Sequence, residues 1–108
     1  KMNTTKKELN AIKKLVIAED KKNSEYSINY DYFVVELFYY ENTKKISNDW
    51  VYTFANASEA FDRCKTQTDM ISTNIKKRHV VALVSKDFKD EYRVVKLTAQ
   101  NKQETIIL

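Results

Sequence analysis

The run Tyr30–Asp62, YDYFVVELFYYENTKKISNDWVYTFANASEAFD, decides the fold. It reads as a β-hairpin that passes directly into a helix. Four of the five Phe, five of the seven Tyr and the single Trp lie in it, so it supplies most of the bulk of any core. In Tyr30–Tyr40, Phe33, Val35, Leu37 and Tyr39 alternate with Val34, Glu36, Phe38 and Tyr40. Successive side chains of a strand point to opposite faces, so both faces here are largely apolar. That pattern fits a central strand, or an aromatic face kept for a partner. Glu36 is the acid inside this apolar strand, expected on the solvent side and paired with a lysine across the sheet. Glu41–Asn48 forms the turn region. In the return strand Trp50–Ala55, Trp50, Tyr52 and Phe54 share one face and Val51, Thr53 and Ala55 the other. So short a link implies antiparallel pairing.

Working outward, Asn56 and Glu59 have capping-box spacing. Ala57, Ala60, Phe61, Cys64, Thr68, Ile71 and Ile75 then keep helical spacing. The helix is expected to stop in Lys76-Lys77-Arg78-His79, where basic groups complement the last carbonyls. Upstream, residues 4–22 read as an amphipathic helix with Thr5 and Glu8 as its capping box and Leu9, Ile12, Leu15 and Val16 as its stripe. Downstream lie strands over His79–Ser85, Tyr92–Ala99 and Glu104–Leu108, with a bulge expected at Val94-Val95. The order α-β-β-α-β-β-(β) specifies an α+β fold as a single domain over residues 1–108. It is expected as two layers, an antiparallel sheet of four to five strands with two helices on one face.

With 108 residues, 43% of them apolar, the chain can bury one modest core. Gly and Pro are both absent. Every turn must therefore be made by Asn, Asp, Ser or Lys, and a Gly-rich phosphate loop is excluded. A single cysteine excludes an intrachain disulfide and a cysteine-rich zinc site, and a single histidine argues against a His-based one. No apolar run approaches the roughly 20 residues of a membrane span, and the polar first residues lack the apolar core of a signal peptide. A cytoplasmic location without membrane contact is the expectation.

The inventory for catalysis is thin. Cys64 and His79 fall on one predicted helix, about 20 Å apart at 1.5 Å per residue, beyond mutual reach. Asp87, Asp90 and Glu91 match no calcium loop. No catalytic residue, metal or cofactor is expected, and the chain reads as a non-enzyme.

Charge is unevenly placed. Residues 26–62 carry two Lys against six acids, whereas residues 63–108 carry ten Lys and Arg against five acids. The YTFANASEAFD run, a strand that ends where an N-x-S-E-A helix begins, resembles small α+β modules that include the DNA-binding arms of mobile-element integrases. Those arms have three strands before the helix, and the strands are basic. Here two strands precede it and the hairpin is acidic.

Two partner classes follow. Nucleic acid is the first: Lys7, Lys14 and Lys21 recur every seven residues opposite the apolar stripe, and Lys76, Lys77, Arg78 and Arg93 mark the basic half. Such a surface attracts a polyanion. It would suit a DNA-associated accessory protein of a phage or mobile element. The second is a protein-binding adaptor or inhibitor acting through the acidic aromatic hairpin 30–55, with Tyr39, Tyr40, Trp50 and Tyr52 as anchors. A homodimer through the sheet edge or the hairpin face belongs with it. Where the basic residues lie after folding separates the two.

Overall fold

The computed structural model describes residues 6–39, 45–71, 78–99 and 104–107. Strand β1 (Tyr32–Tyr39) pairs on both sides, with β2 (Ile46–Phe54) and with β3 (Arg78–Lys86). Strands β4 (Tyr92–Ala99) and β5 (Glu104–Ile107) extend the sheet to the order β2-β1-β3-β4-β5, antiparallel throughout. Helix α1 (Lys6–Ser24) precedes β1, and α2 (Ala57–Asp69) links β2 to β3. The α+β class, the element order and the antiparallel sheet match the sequence reading, with five strands.

One part of that reading is corrected: the two helices cover opposite faces. Ile12 and Val16 of α1 are buried with Phe33, Val35, Leu37, Val80, Ala82 and Val84. Ala60 and Cys64 of α2 are buried with Val34, Val81 and Leu83. These are alternate residues of the same two strands, so the layers are helix, sheet, helix. The reason lies in β1 and β3. Both are apolar at successive positions, and one helical layer can dry only one face. The bulge lies in β4 as expected: Leu83 pairs with Lys96 and Val84 with Val94, so Val95 is the extra residue. Val94 keeps to the α1 face with Val84, and Val95 packs on the α2 face with Leu83.

Helix α1 lies on its face by a stripe of four-residue spacing, Glu8, Ile12, Val16 and Asp20, flanked by Leu9 and Leu15. Two carboxylates thus close an apolar stripe, and each is buried against a tyrosine. The Tyr39 hydroxyl donates to Glu8, and the Tyr92 hydroxyl donates to Asp20. Lys86 also pairs with Asp20 at 2.7 Å. Both ends of α1 are therefore pinned to the sheet, at the far end of β1 and at the β3–β4 turn. Helix α2 begins as read, with the Asn56 side chain accepting from the Glu59 N–H at 2.9 Å. It ends at Asp69, short of the expected Ile75, and residues 72–77 lie outside the described set.

Without glycine, two ordinary residues take the left-handed backbone conformation that turns require. These are Ser27 at φ 59° and Asp90 at φ 60°. Asp90 sits in the β3–β4 turn, where Asp87 Oδ1 accepts from the N–H groups of Lys89 and Glu91. A carboxylate substitutes for the missing glycine by satisfying the turn's own donors.

The Tyr92 phenol is pushed up by burial and then by its bond to Asp20, and the Lys86 ammonium is held up by its own bond to Asp20. Each group holds its proton more tightly in the folded state. The stability they contribute is thus complete below about pH 10, near the unfolded values of both, and is lost as pH rises beyond it. Urea unfolding across pH 7–11 should show this alkaline loss. Tyr92→Phe should lower stability at neutral pH by about 1–3 kcal/mol and flatten the alkaline fall. An unchanged alkaline slope in that variant would remove Tyr92 from the account.

Candidate protein interface

The second face of the sheet carries a polar knot inside an apolar layer. Glu36, in the middle of β1, is 4% exposed. Its Oε1 accepts from the Tyr52 hydroxyl at 2.9 Å. Its Oε2 accepts from Gln67 Nε2 at 3.0 Å and lies 2.9 Å from His79 Nε2. One carboxylate thus collects donors from β2, α2 and β3, the three elements packed around it. The Phe38 ring stacks on the His79 imidazole, with centroids 4.3 Å apart and 23° between planes.

Two expectations are corrected here. Glu36 does not face solvent opposite a lysine: α2 covers it, because β1 is central and α2 crosses its even-numbered side. His79 does not close a helix. It is the second residue of β3, pairs with Phe38 and is buried with 9% exposure. The helix stops ten residues earlier than His79, so the chain enters β3 before reaching it.

The knot fixes what lies outside it. The Tyr52 phenol is pushed up by burial and then by its bond to Glu36. The Arg63 guanidinium of α2 lies 4.7 Å from the Tyr52 ring centroid, a cation–π contact that clamps the ring from above. Trp50, two residues along β2 on the same side, sits 6.2 Å from Tyr52 and tilted by 51°. Trp50 is 57% exposed, and Met70 at the end of α2 is 65% exposed. The result is an exposed indole on an edge strand, beside a tyrosine held by hydrogen bond and by cation.

The proposed anchors separate accordingly. Trp50 and Tyr52 share this surface. Tyr39 is on the other face, packed against the α1 core, because its odd-numbered position alternates away from them. Tyr40 lies outside the described residues.

Of the proposed basic residues, the three whose side chains are described, Lys14, Lys21 and Arg93, do not share one face. Lys14 and Lys21 are exposed on α1, Lys14 beside a shallow concavity that Asn10 and Ile17 also line. Arg93 is exposed on β4, between Tyr92 and Val94, both turned to the α1 face, so it belongs to the α2 face. The sheet stands between it and α1. Lys7 is in α1 and Arg78 opens β3 by backbone, while Lys76 and Lys77 lie outside the described residues.

Gln67 carries no signal in the sequence, Arg63 counts there only toward the basic half, and His79 reads there as the point where the helix ends and the strand begins. Glu36 was the signal, an acid in an apolar strand, but its partners are 16, 31 and 43 residues away. Among the described residues no three His, Cys, Asp or Glu side chains gather as metal ligands. Also among them, no helix is long and apolar enough to cross a membrane. The chain matches no protein-family model, no curated protein and no solved structure.

Glu36→Ala strips Tyr52, Gln67 and His79 of their common acceptor in a buried site. It should cost about 3–5 kcal/mol, because several buried donors lose their acceptor together. Tyr52→Phe, which leaves two of the three bonds, should cost about 1 kcal/mol. Urea titration followed by Trp50 fluorescence reads both. Equal losses would mean that the knot does not depend on the carboxylate.

Proposed function

We propose that this chain is a non-enzymatic protein-binding module that docks its partner along the outer edge and α2-side face of β2. The observation that supports this reading is Trp50, an exposed indole on an edge strand with its ring 6.2 Å from Tyr52. Aromatic side chains dominate interface energetics when their orientation costs little entropy to fix. Here the neighbouring Tyr52 is already held by Glu36 and Arg63. The edge of β2 offers backbone donors and acceptors, so an extended segment can add to the sheet while its side chains contact Trp50.

Nucleic-acid binding draws less from the geometry. A polyanion is gripped by a continuous basic track. Lys14 and Lys21 lie over one face of the sheet and Arg93 on the other. The aromatic strand itself carries Asp49 and no cation.

Immobilised protein, offered cell extract and a differently tagged copy of itself, should retain protein that Trp50→Ala releases at least about tenfold more readily, the loss of a typical aromatic anchor. Lys14→Glu with Lys21→Glu should leave retention unchanged. The reverse pattern, or tight duplex DNA binding that persists at physiological salt, would overturn the reading.

A further inference from the structure

The hydrogen-bond geometry of β2 identifies which of its backbone groups are free. The Lys86 N–H donates to the Asp31 carbonyl at 2.9 Å, so odd-numbered residues of β1 turn their backbone groups toward β3. In an antiparallel ladder these directions alternate, so even-numbered residues of β1 turn toward β2. The Phe38 carbonyl agrees, since it accepts from Ser47 Oγ at 3.0 Å. The β2 residues opposite them, Asn48, Trp50, Tyr52 and Phe54, therefore bond inward. Asp49, Val51 and Thr53 present N–H and C=O outward, where β2 ends the sheet; of these the Asp49 N–H donates to the exposed Asn48 side-chain oxygen at 2.9 Å, a local bond that a pairing strand replaces.

This edge has few of the usual protections: one charge, Asp49, and the register shift that skips Ser47 near its start. Edge strands that stay single are commonly short, or carry lysine or proline. Strand β2 has nine residues, ISNDWVYTF, with neither. Helix α2 packs chiefly over β3 and β1, and among the described residues no strand pairs with the outer side of β2. The opposite edge, β5, is four residues long.

The free groups are also symmetric. Two copies of one strand related by a two-fold axis must pair outward residues with outward residues, so the axis passes through a residue. Only at Val51 do all three outward residues meet one another: Val51 faces Val51, and Asp49 faces Thr53 twice. Each such pair exchanges two hydrogen bonds. Trp50 then faces the second copy's Tyr52 at a pair without backbone bonds, where side chains come closest. The only charge in the strand, Asp49, meets a hydroxyl. An axis at Asp49 would oppose two carboxylates. An axis at Trp50 would place Thr53 against Ser47, which the register skips.

We propose that β2 pairs with β2 of a second copy, antiparallel about a two-fold axis at Val51, and joins two five-stranded sheets into one of ten. This rests on the reading of β2 as the docking edge and names its occupant.

Light scattering of the full chain over a dilution series should give twice the chain mass. Under mild oxidation Val51→Cys should form a covalent dimer, because the two positions meet on the axis within disulfide range. Thr53→Cys should not, because Thr53 meets Asp49. The native Cys64 is 2% exposed and its thiol is pushed up by burial, so it stays out of the reaction. A single-chain mass at every concentration overturns self-pairing, and that measurement needs no variant. Cross-linking at Thr53 but not at Val51 overturns the register. A monomer whose retention of other proteins still depends on Trp50 overturns self-pairing alone. A dimer indifferent to Trp50→Ala that does not cross-link at Val51 overturns both self-pairing and the docking edge.

Discussion

Burial of β1 on both faces is the constraint from which the rest of this structure follows. Phe33, Val35 and Leu37 on one side and Val34 on the other are removed from water together. A strand in that position needs a neighbour on each edge and a layer on each face. The edges are filled by β2 and β3, and the faces by α1 and α2. Strand β3 repeats the demand with Val80, Val81, Ala82, Leu83 and Val84 in unbroken succession. The two helices could not be stacked on one side without leaving half of that surface wet, at roughly 25 cal/mol for each Å² of apolar area exposed.

Carboxylates act as internal fasteners in this arrangement. Glu8, Asp20 and Glu36 are each nearly withdrawn from solvent, and each accepts a tyrosine hydroxyl from a strand. Glu8 and Asp20 fix the two ends of α1. Glu36 joins β1 to β2, α2 and β3. A buried acid is costly unless its lone pairs are met, so each pair makes the packing conditional on a correct register. The same device gives the exposed surface its order. Trp50 lies exposed beside Tyr52, which is tied to Glu36 and covered by Arg63.

Much of the fold was legible. Alternation in β1 and β2 assigned residues to faces, and for the described strand residues those assignments hold, because a period of two depends only on local backbone geometry. The Asn56–Glu59 cap and the bulge in β4 were legible for the same reason. The site was legible only in part. Trp50 and Tyr52 could be named from the aromatic return strand. Tyr39, equally aromatic and equally near, belongs to the other face and serves α1. Arg63, Gln67 and His79 give no local sign of their roles. Glu36 was misplaced because an acid in a strand normally seeks water, and nothing within the hairpin shows that a helix will cover it.

The sequence by itself determined the elements, their order, the two faces of each hairpin strand and the absence of glycine-built sites. These are short-range properties, fixed by backbone periodicity and residue shape. Only the tertiary structure decided which helix covers which face, that Glu36 would be buried among donors from three elements, that β2 would stand at an edge with Trp50 outward, and that the lysines of α1 and Arg93 would lie on opposite sides of the sheet. These depend on contacts between residues tens of positions apart. They are settled by which packing dries the most apolar surface while finding partners for most buried polar groups.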